Sequence, residues 1–157
     1  DRNLHVLDER SEFFDEIFKF AFVRNPWDLQ VSSFHHIQRE RPEVMNGITD
    51  FNEFMQYKFD PERPYQYHID TSLSLQSDYV VDLHGKLLVD FLGRNERLEE
   101  DFWHIVKTLN LPVNKLPGKR IAKNRDKDYR RYYNSASVDL VAQHFAKDIE
   151  LFEYVYE

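Results

Sequence analysis

Apolar positions along the chain alternate between a strand-like and a helix-like spacing. Residues 18–23, Phe-Lys-Phe-Ala-Phe-Val, form a short β-favouring run suited to a buried strand. Arg24 ends it, and Asn25-Pro26 opens a helix. Asn25 suits the N-cap, Pro26 the first helical position, and Asp28 the place from which a capping-box acid reaches back. That helix is predicted to run to Glu40, ahead of Pro42. A second helix is predicted after Thr49 or Asp50, with Phe51, Phe54 and Met55 on one face. Residues 60–77, with Pro61 and Pro64, read as an irregular loop. Residues 79–81 and 86–92, joined through His84-Gly85, read as a β-hairpin or a pair of short strands. Leu98, Phe102, Ile105, Val106 and Leu109 give the clearest helical stripe, and Pro112 stops it. A last helix, capped by Ser135 or Ser137, should turn Leu140, Val141, Phe145 and Ile149 inward and lead into Phe152, Tyr154 and Tyr156. Strand, sharp turn and helix make half of an α/β unit. The expected class is therefore α/β, a parallel sheet flanked by helices with residues 18–23 as an inner strand, in a single domain over residues 1–157.

Composition narrows the function classes. With 13 Phe and 9 Tyr among 157 residues, much of the core should be aromatic. A net charge of −7 argues against a general nucleic-acid binder. The absence of cysteine excludes disulfides, thiolate metal sites and cysteine nucleophiles. It also points to a reducing compartment, and with no signal pattern and no apolar run near the ~18 residues of a membrane span, a cytoplasmic location is expected. The charge is unevenly placed. Residues 115–131 hold eight basic side chains against Asp126 and Asp128, a net +6, which leaves −13 for the rest.

A strand that ends in Arg and turns into a capped helix can hold a phosphate. The helix start offers unpaired N–H groups and a positive dipole end, and the Arg24 guanidinium presents paired donors to phosphate oxygens. Ser32, seven residues beyond Asn25, lies two turns along the same side. From spacing alone, the alternative that Arg24 caps a surface strand and Ser32 merely sits mid-helix is the favoured reading.

The run from Phe18 through Arg24-Asn25-Pro26-Trp27-Asp28, followed by Val31-Ser32-Ser33-Phe34, resembles the 3′-phosphate-binding motif of the carbohydrate-type sulfotransferases, Golgi-like and bacterial. In that family the Arg, and the Ser eight residues after it, hold the 3′-phosphate of 3′-phosphoadenosine 5′-phosphosulfate; Arg24 and Ser32 match both. Val89-Asp90-Phe91-Leu92-Gly93-Arg94 with Glu96 and Leu98 resembles the family's strand–Gly-Arg–helix segment. Residues 128–133 and 146–152 resemble its C-terminal segment, so the likeness covers most of the chain from Asp15 on.

The resemblance implies a P-loop-NTPase-like sulfotransferase core. It implies transfer of a sulfuryl group from that nucleotide to a hydroxyl, that of a carbohydrate, with no metal, no nucleic acid and no membrane span. Arg24, Ser32, Lys123 and Arg120 are the expected nucleotide contacts, Lys123 and Arg120 ahead of Arg125 because Asp126 can pair with its neighbour. The basic island is expected to act as a lid over the nucleotide. Trp27 is assigned to packing and Asp28 to capping, and Arg94 either to the nucleotide or to a pair with Glu96 or Glu99. His35, His36 and, less well placed, His5 are candidate bases, with none assigned as catalytic; His68 is a candidate for the acceptor groove.

Three positions depart from the family pattern. Leu29-Gln30 replaces Arg-Leu, Leu75-Gln76 replaces Pro-Gln, and Ala122-Lys123-Asn124 replaces His-x-Asn, changes expected to bear on the acceptor more than on the nucleotide. No Lys-bearing phosphate loop of the Pro-Lys-x-Gly-Thr kind stands among the 23 residues before Arg24. The sequence therefore reads as a C-terminal portion of such a domain, binding the nucleotide weakly and transferring sulfate poorly by itself. The alternative is a non-catalytic nucleotide-binding or structural relative.

Overall fold

The computed structural model describes residues 14, 16–116, 118 and 125–157. It is a mixed α/β arrangement built on a two-stranded parallel sheet. Strand β1 (Phe20–Val23) pairs in parallel with β2 (Phe91–Arg94), Phe20 opposite Phe91 and Val23 opposite Arg94. The long crossover between them carries helices α1 (Pro26–Glu40), α2 (Phe51–Phe59) and the short α3 (Tyr67–Asp70). After β2 come α4 (Leu98–Thr108), α5 (Ser135–His144) and α6 (Ala146–Phe152). Gly93 allows the strands to close. A Cβ there would lie 2.5 Å from Cε1 of Phe22, nearer than side-chain carbons approach.

Several expectations need correction. Among the described residues β1 has one strand neighbour, not two, and Phe20 at its start is 47% exposed, so the inner placement is not met there. The hairpin shrinks to a single antiparallel bridge, Val81 with Leu87, around a turn in which Gly85 adopts φ 79°. The second strand lies later than expected because Phe91–Arg94 finds β1 as its partner. The loop over 60–77 contains α3, and the last helix is two, broken at Phe145. The cap of α5 is Asn134, whose side chain accepts from the Ser137 N–H while Ser137 returns a bond to the Asn134 N–H.

Helix α1 is the hub. Val31, Phe34 and Ile37 pack with Met45, Phe51, Phe54, Met55 and Ile69, and Tyr129, Tyr132 and Tyr133 lean on this cluster. Trp27 packs on the other side with Val141 and Phe145, edge-on to Tyr156 at 5.4 Å. The buried face of α1 also carries polar Gln30 and Ser33, and these receive Lys58 of α2. The Lys58 ammonium is wholly enclosed and donates to Gln30 Oε1 at 2.6 Å and Ser33 Oγ at 3.1 Å. Burial disfavours its charged form, lowering the amine from its ordinary 10.5 to about 7. Lys58 thus closes the α1–α2 contact at an electrostatic cost.

Candidate functional site

The site grows from the junction of β1 and α1. Asn25 caps α1 as expected, its side-chain oxygen accepting from the N–H groups of Trp27 (3.0 Å) and Asp28 (3.4 Å), with Pro26 in the first turn. Asp28 does not reach back to complete a capping box. The Asn25 N–H instead donates to Glu96 Oε1 at 2.6 Å, and the other Glu96 oxygen accepts from Tyr154 at 3.2 Å. Trp27 is 4% exposed, in keeping with packing.

Asp28, released from capping, holds two arginines. Arg24 Nε donates to Asp28 Oδ2 at 2.5 Å, and Arg125 Nη2 donates to Asp28 Oδ1. Both arginine side chains are largely enclosed, 19% and 16% exposed. Burial lowers the affinity of each guanidinium for its proton, and the charge of Arg24 adds to this effect at Arg125. Arg125 Nε is buried with no partner among the described residues. Two crowded cations thus share the Asp28 carboxylate, Glu96 lies near enough to act on Arg24, and one Arg125 donor is left over. Ser32, half-buried, lies one turn beyond Asp28 on the same helical face. Asp28 and Ser32 therefore share a helical face, which Arg24 meets through Asp28.

From sequence, Arg125 stands behind Arg120 and Lys123 because Asp126 can pair with its neighbour. In fact Asp126 accepts from Arg131 at 2.9 Å, and Asp128 pairs with Arg130. Arg125 is thereby free to turn toward Asp28. Its loop is tied to α1 through Tyr132, whose hydroxyl accepts the Asp126 N–H at 2.8 Å and meets His35 Nε2 at 2.9 Å. Burial lowers the pKa of this imidazole and so disfavours its charged form. His35 is thus engaged with Tyr132, whereas His36 is exposed. Arg120, Lys123 and His5 lie outside the described residues.

Arg94 pairs with neither Glu96 nor Glu99. Its guanidinium donates to the Phe152 carbonyl at 2.6 Å and lies over the Tyr154 ring at 4.8 Å. Tyr154 and Arg94 line a cavity of about 490 Å³ that reaches Asn25 and Asp28. Asp28, Glu96, Glu153 and Glu157 oppose only Arg94 and Lys127 there, so a phosphate is better served by the Arg24–Arg125 pair. Gln76, left with the acceptor side by sequence reasoning, bonds the backbone of Arg24 itself. Nothing in the local pattern around Gln76, Glu96 or Asp148 announces these contacts, which join residues more than fifty positions apart.

Strand end, capped helix and two arginines thus meet at one acidic position, Asp28. Comparison with known proteins supplies the class: residues 3–155 match the sulfotransferase family, and the chain belongs to it. An uncharacterized protein of Archaeoglobus fulgidus is 31% identical over 111 residues, spanning 65% of this chain and 75% of that protein. No solved structure matches. Among the described residues, no helix is long and apolar enough to cross a membrane.

Proposed function

We propose that the Arg24–Arg125 pocket, with Ser32, holds the 3′-phosphate of 3′-phosphoadenosine 5′-phosphosulfate, the substrate from which a sulfuryl group passes to a hydroxyl, that of a carbohydrate by the family resemblance. One observation carries this reading: two enclosed guanidiniums converge on the carboxylate of Asp28 beside the start of α1, where that carboxylate occupies the place of an anion. The unpartnered Arg125 Nε supplies a donor that a phosphate oxygen would use. In the reaction, the bond from sulfur to the 5′-phosphate oxygen breaks as the acceptor oxygen bonds to sulfur, and the hydroxyl proton passes to a base. Charge gathers on the departing bisphosphate nucleotide. Arg24, Arg125 and the α1 N-terminus contribute by fixing that nucleotide in place. We read β1 and α1 as the strand and helix of a P-loop-NTPase-like core, and the basic residues before Arg125 as further nucleotide contacts.

Calorimetry with adenosine 3′,5′-bisphosphate tests the assignment. Arg24→Ala and Arg125→Ala should each weaken binding by about tenfold or more, the scale of a lost hydrogen bond to a charged group. Unchanged affinity in both variants refutes the site. Nucleotide binding without sulfuryl transfer from the labelled donor to any hydroxyl acceptor would favour the non-catalytic reading.

A further inference from the structure

Arg24 stands where a strand ends, so its peptide N–H and C=O have no neighbouring strand to bond. Gln76 takes that place. Its side-chain oxygen accepts the Arg24 N–H at 2.9 Å, and its side-chain nitrogen donates to the Arg24 carbonyl at 2.8 Å. A single amide thus satisfies both polar groups of one residue, as a paired strand would. Gln76 is fixed in turn. Its own N–H donates to Asp148 Oδ2 at 2.7 Å, and the Ser77 N–H donates to Asp148 Oδ1 at 2.9 Å. Asp148, in the first turn of α6, is fully buried and spends its carboxylate on these two N–H groups. On the following residue, Glu96 holds the Asn25 N–H.

We propose that Gln76 is a positioning residue for Arg24, and that Asp148 sets Gln76 from beneath, so that α6 determines where the Arg24 guanidinium meets phosphate. The inference rests on the reading of Arg24 as the 3′-phosphate contact. Its physical basis is that a charged hydrogen bond depends steeply on distance and angle, and at this strand end the Arg24 backbone is held by Gln76, with Glu96 on the next N–H. Both ends of the Gln76 amide are engaged with the Arg24 backbone. The departure from Pro-Gln to Leu75-Gln76 keeps the glutamine that bonds the Arg24 backbone.

The test compares two nucleotides on the whole chain. Adenosine 3′,5′-bisphosphate uses the Arg24 site, whereas adenosine 5′-phosphate lacks the 3′-phosphate. Gln76→Met keeps the side chain's length and removes both hydrogen bonds. It should weaken bisphosphate binding by about tenfold, leave adenosine 5′-phosphate binding unchanged, and have no further effect when Arg24 is already Ala. Should Gln76→Met fail to give a folded amide spectrum, Asp148→Asn, which keeps the shape and one acceptor oxygen, carries the same test. Asp78→Ala, which breaks the exposed Lys147–Asp78 pair in the same region, serves as a control for general loosening and should change neither affinity. If Arg24→Ala weakens bisphosphate binding but the Gln76 variant does not, or weakens both nucleotides alike, the positioning role is overturned and the site stands. If Arg24→Ala itself has no effect, the site falls and the positioning role with it.

Discussion

Lys58 makes a quantitative demand on the α1–α2 contact. Its amine is fully enclosed, its Nζ meets only the neutral acceptors Gln30 and Ser33, and its pKa falls from 10.5 to about 7. Because the folded value lies below the unfolded one, the unfolded chain binds more protons between about pH 7 and 10.5, and stability rises with pH through that window. At about 1.36 kcal/mol per pH unit, enclosing the amine costs on the order of 4 kcal/mol at pH 7 and about 1 kcal/mol at pH 9.5. Lys58→Met removes this cost and leaves the Gln30 oxygen without its donor, a loss of roughly 1–3 kcal/mol at every pH. The variant should therefore gain stability relative to the parent at pH 7 and lose that advantage by pH 9.5, a swing of about 3 kcal/mol. Urea unfolding of both proteins at pH 7, 8, 9 and 9.5 reads this difference directly, and taking the difference cancels groups that titrate in common. A stability gap that stays constant across the series would refute the reasoning.

Other outcomes follow from the same contacts. Asn25→Ala removes the acceptor for two N–H groups of α1 and should cost about 1 kcal/mol, seen as a fall in melting temperature of roughly 2–4 °C; an unchanged Tm would deny the cap. Gly93→Ala drives a methyl into the Phe22 ring and should cost about 1–3 kcal/mol in urea unfolding, while full stability would mean that the ring yields freely. Asp28→Asn keeps the shape but withdraws the competing charge, so it should tighten adenosine 3′,5′-bisphosphate binding while lowering stability. Weaker binding would show that Asp28 helps the nucleotide rather than standing in its place.

The parts of the fold legible in the sequence are those set by local chemistry. Asn25-Pro26 and the spacing of Val31, Phe34 and Ile37 placed α1 correctly, and Asp50 with Phe51, Phe54 and Met55 placed α2. The hairpin and the last helix were misread because their outcome depends on distant partners. Residues 91–94 pair with β1 rather than with residues 79–81, and the break at Phe145 lets Asp148 reach the loop at Gln76 and Ser77. The site divides in the same way. Arg24 and Ser32 stand out through their spacing from the helix start, and Arg125, which reaches Asp28, belongs to the basic island. Which of its cations turns inward was decided by Asp126 choosing Arg131 and by Tyr132 bonding His35, contacts that local spacing does not encode. Asp28 looked like a capping residue because its position is correct for one; Glu96, far along the chain, had already taken the bond.

The central claim is that one phosphate is held between Arg24, Arg125 and Ser32. A crystal of this chain soaked with adenosine 3′,5′-bisphosphate tests it most directly. The account predicts density for the 3′-phosphate within hydrogen-bonding distance of both guanidiniums and the Ser32 hydroxyl, with the Asp28 carboxylate moved off at least one of the arginines. Density for the 3′-phosphate in the cavity beside Tyr154, or elsewhere with the Asp28 bridge intact, would contradict it.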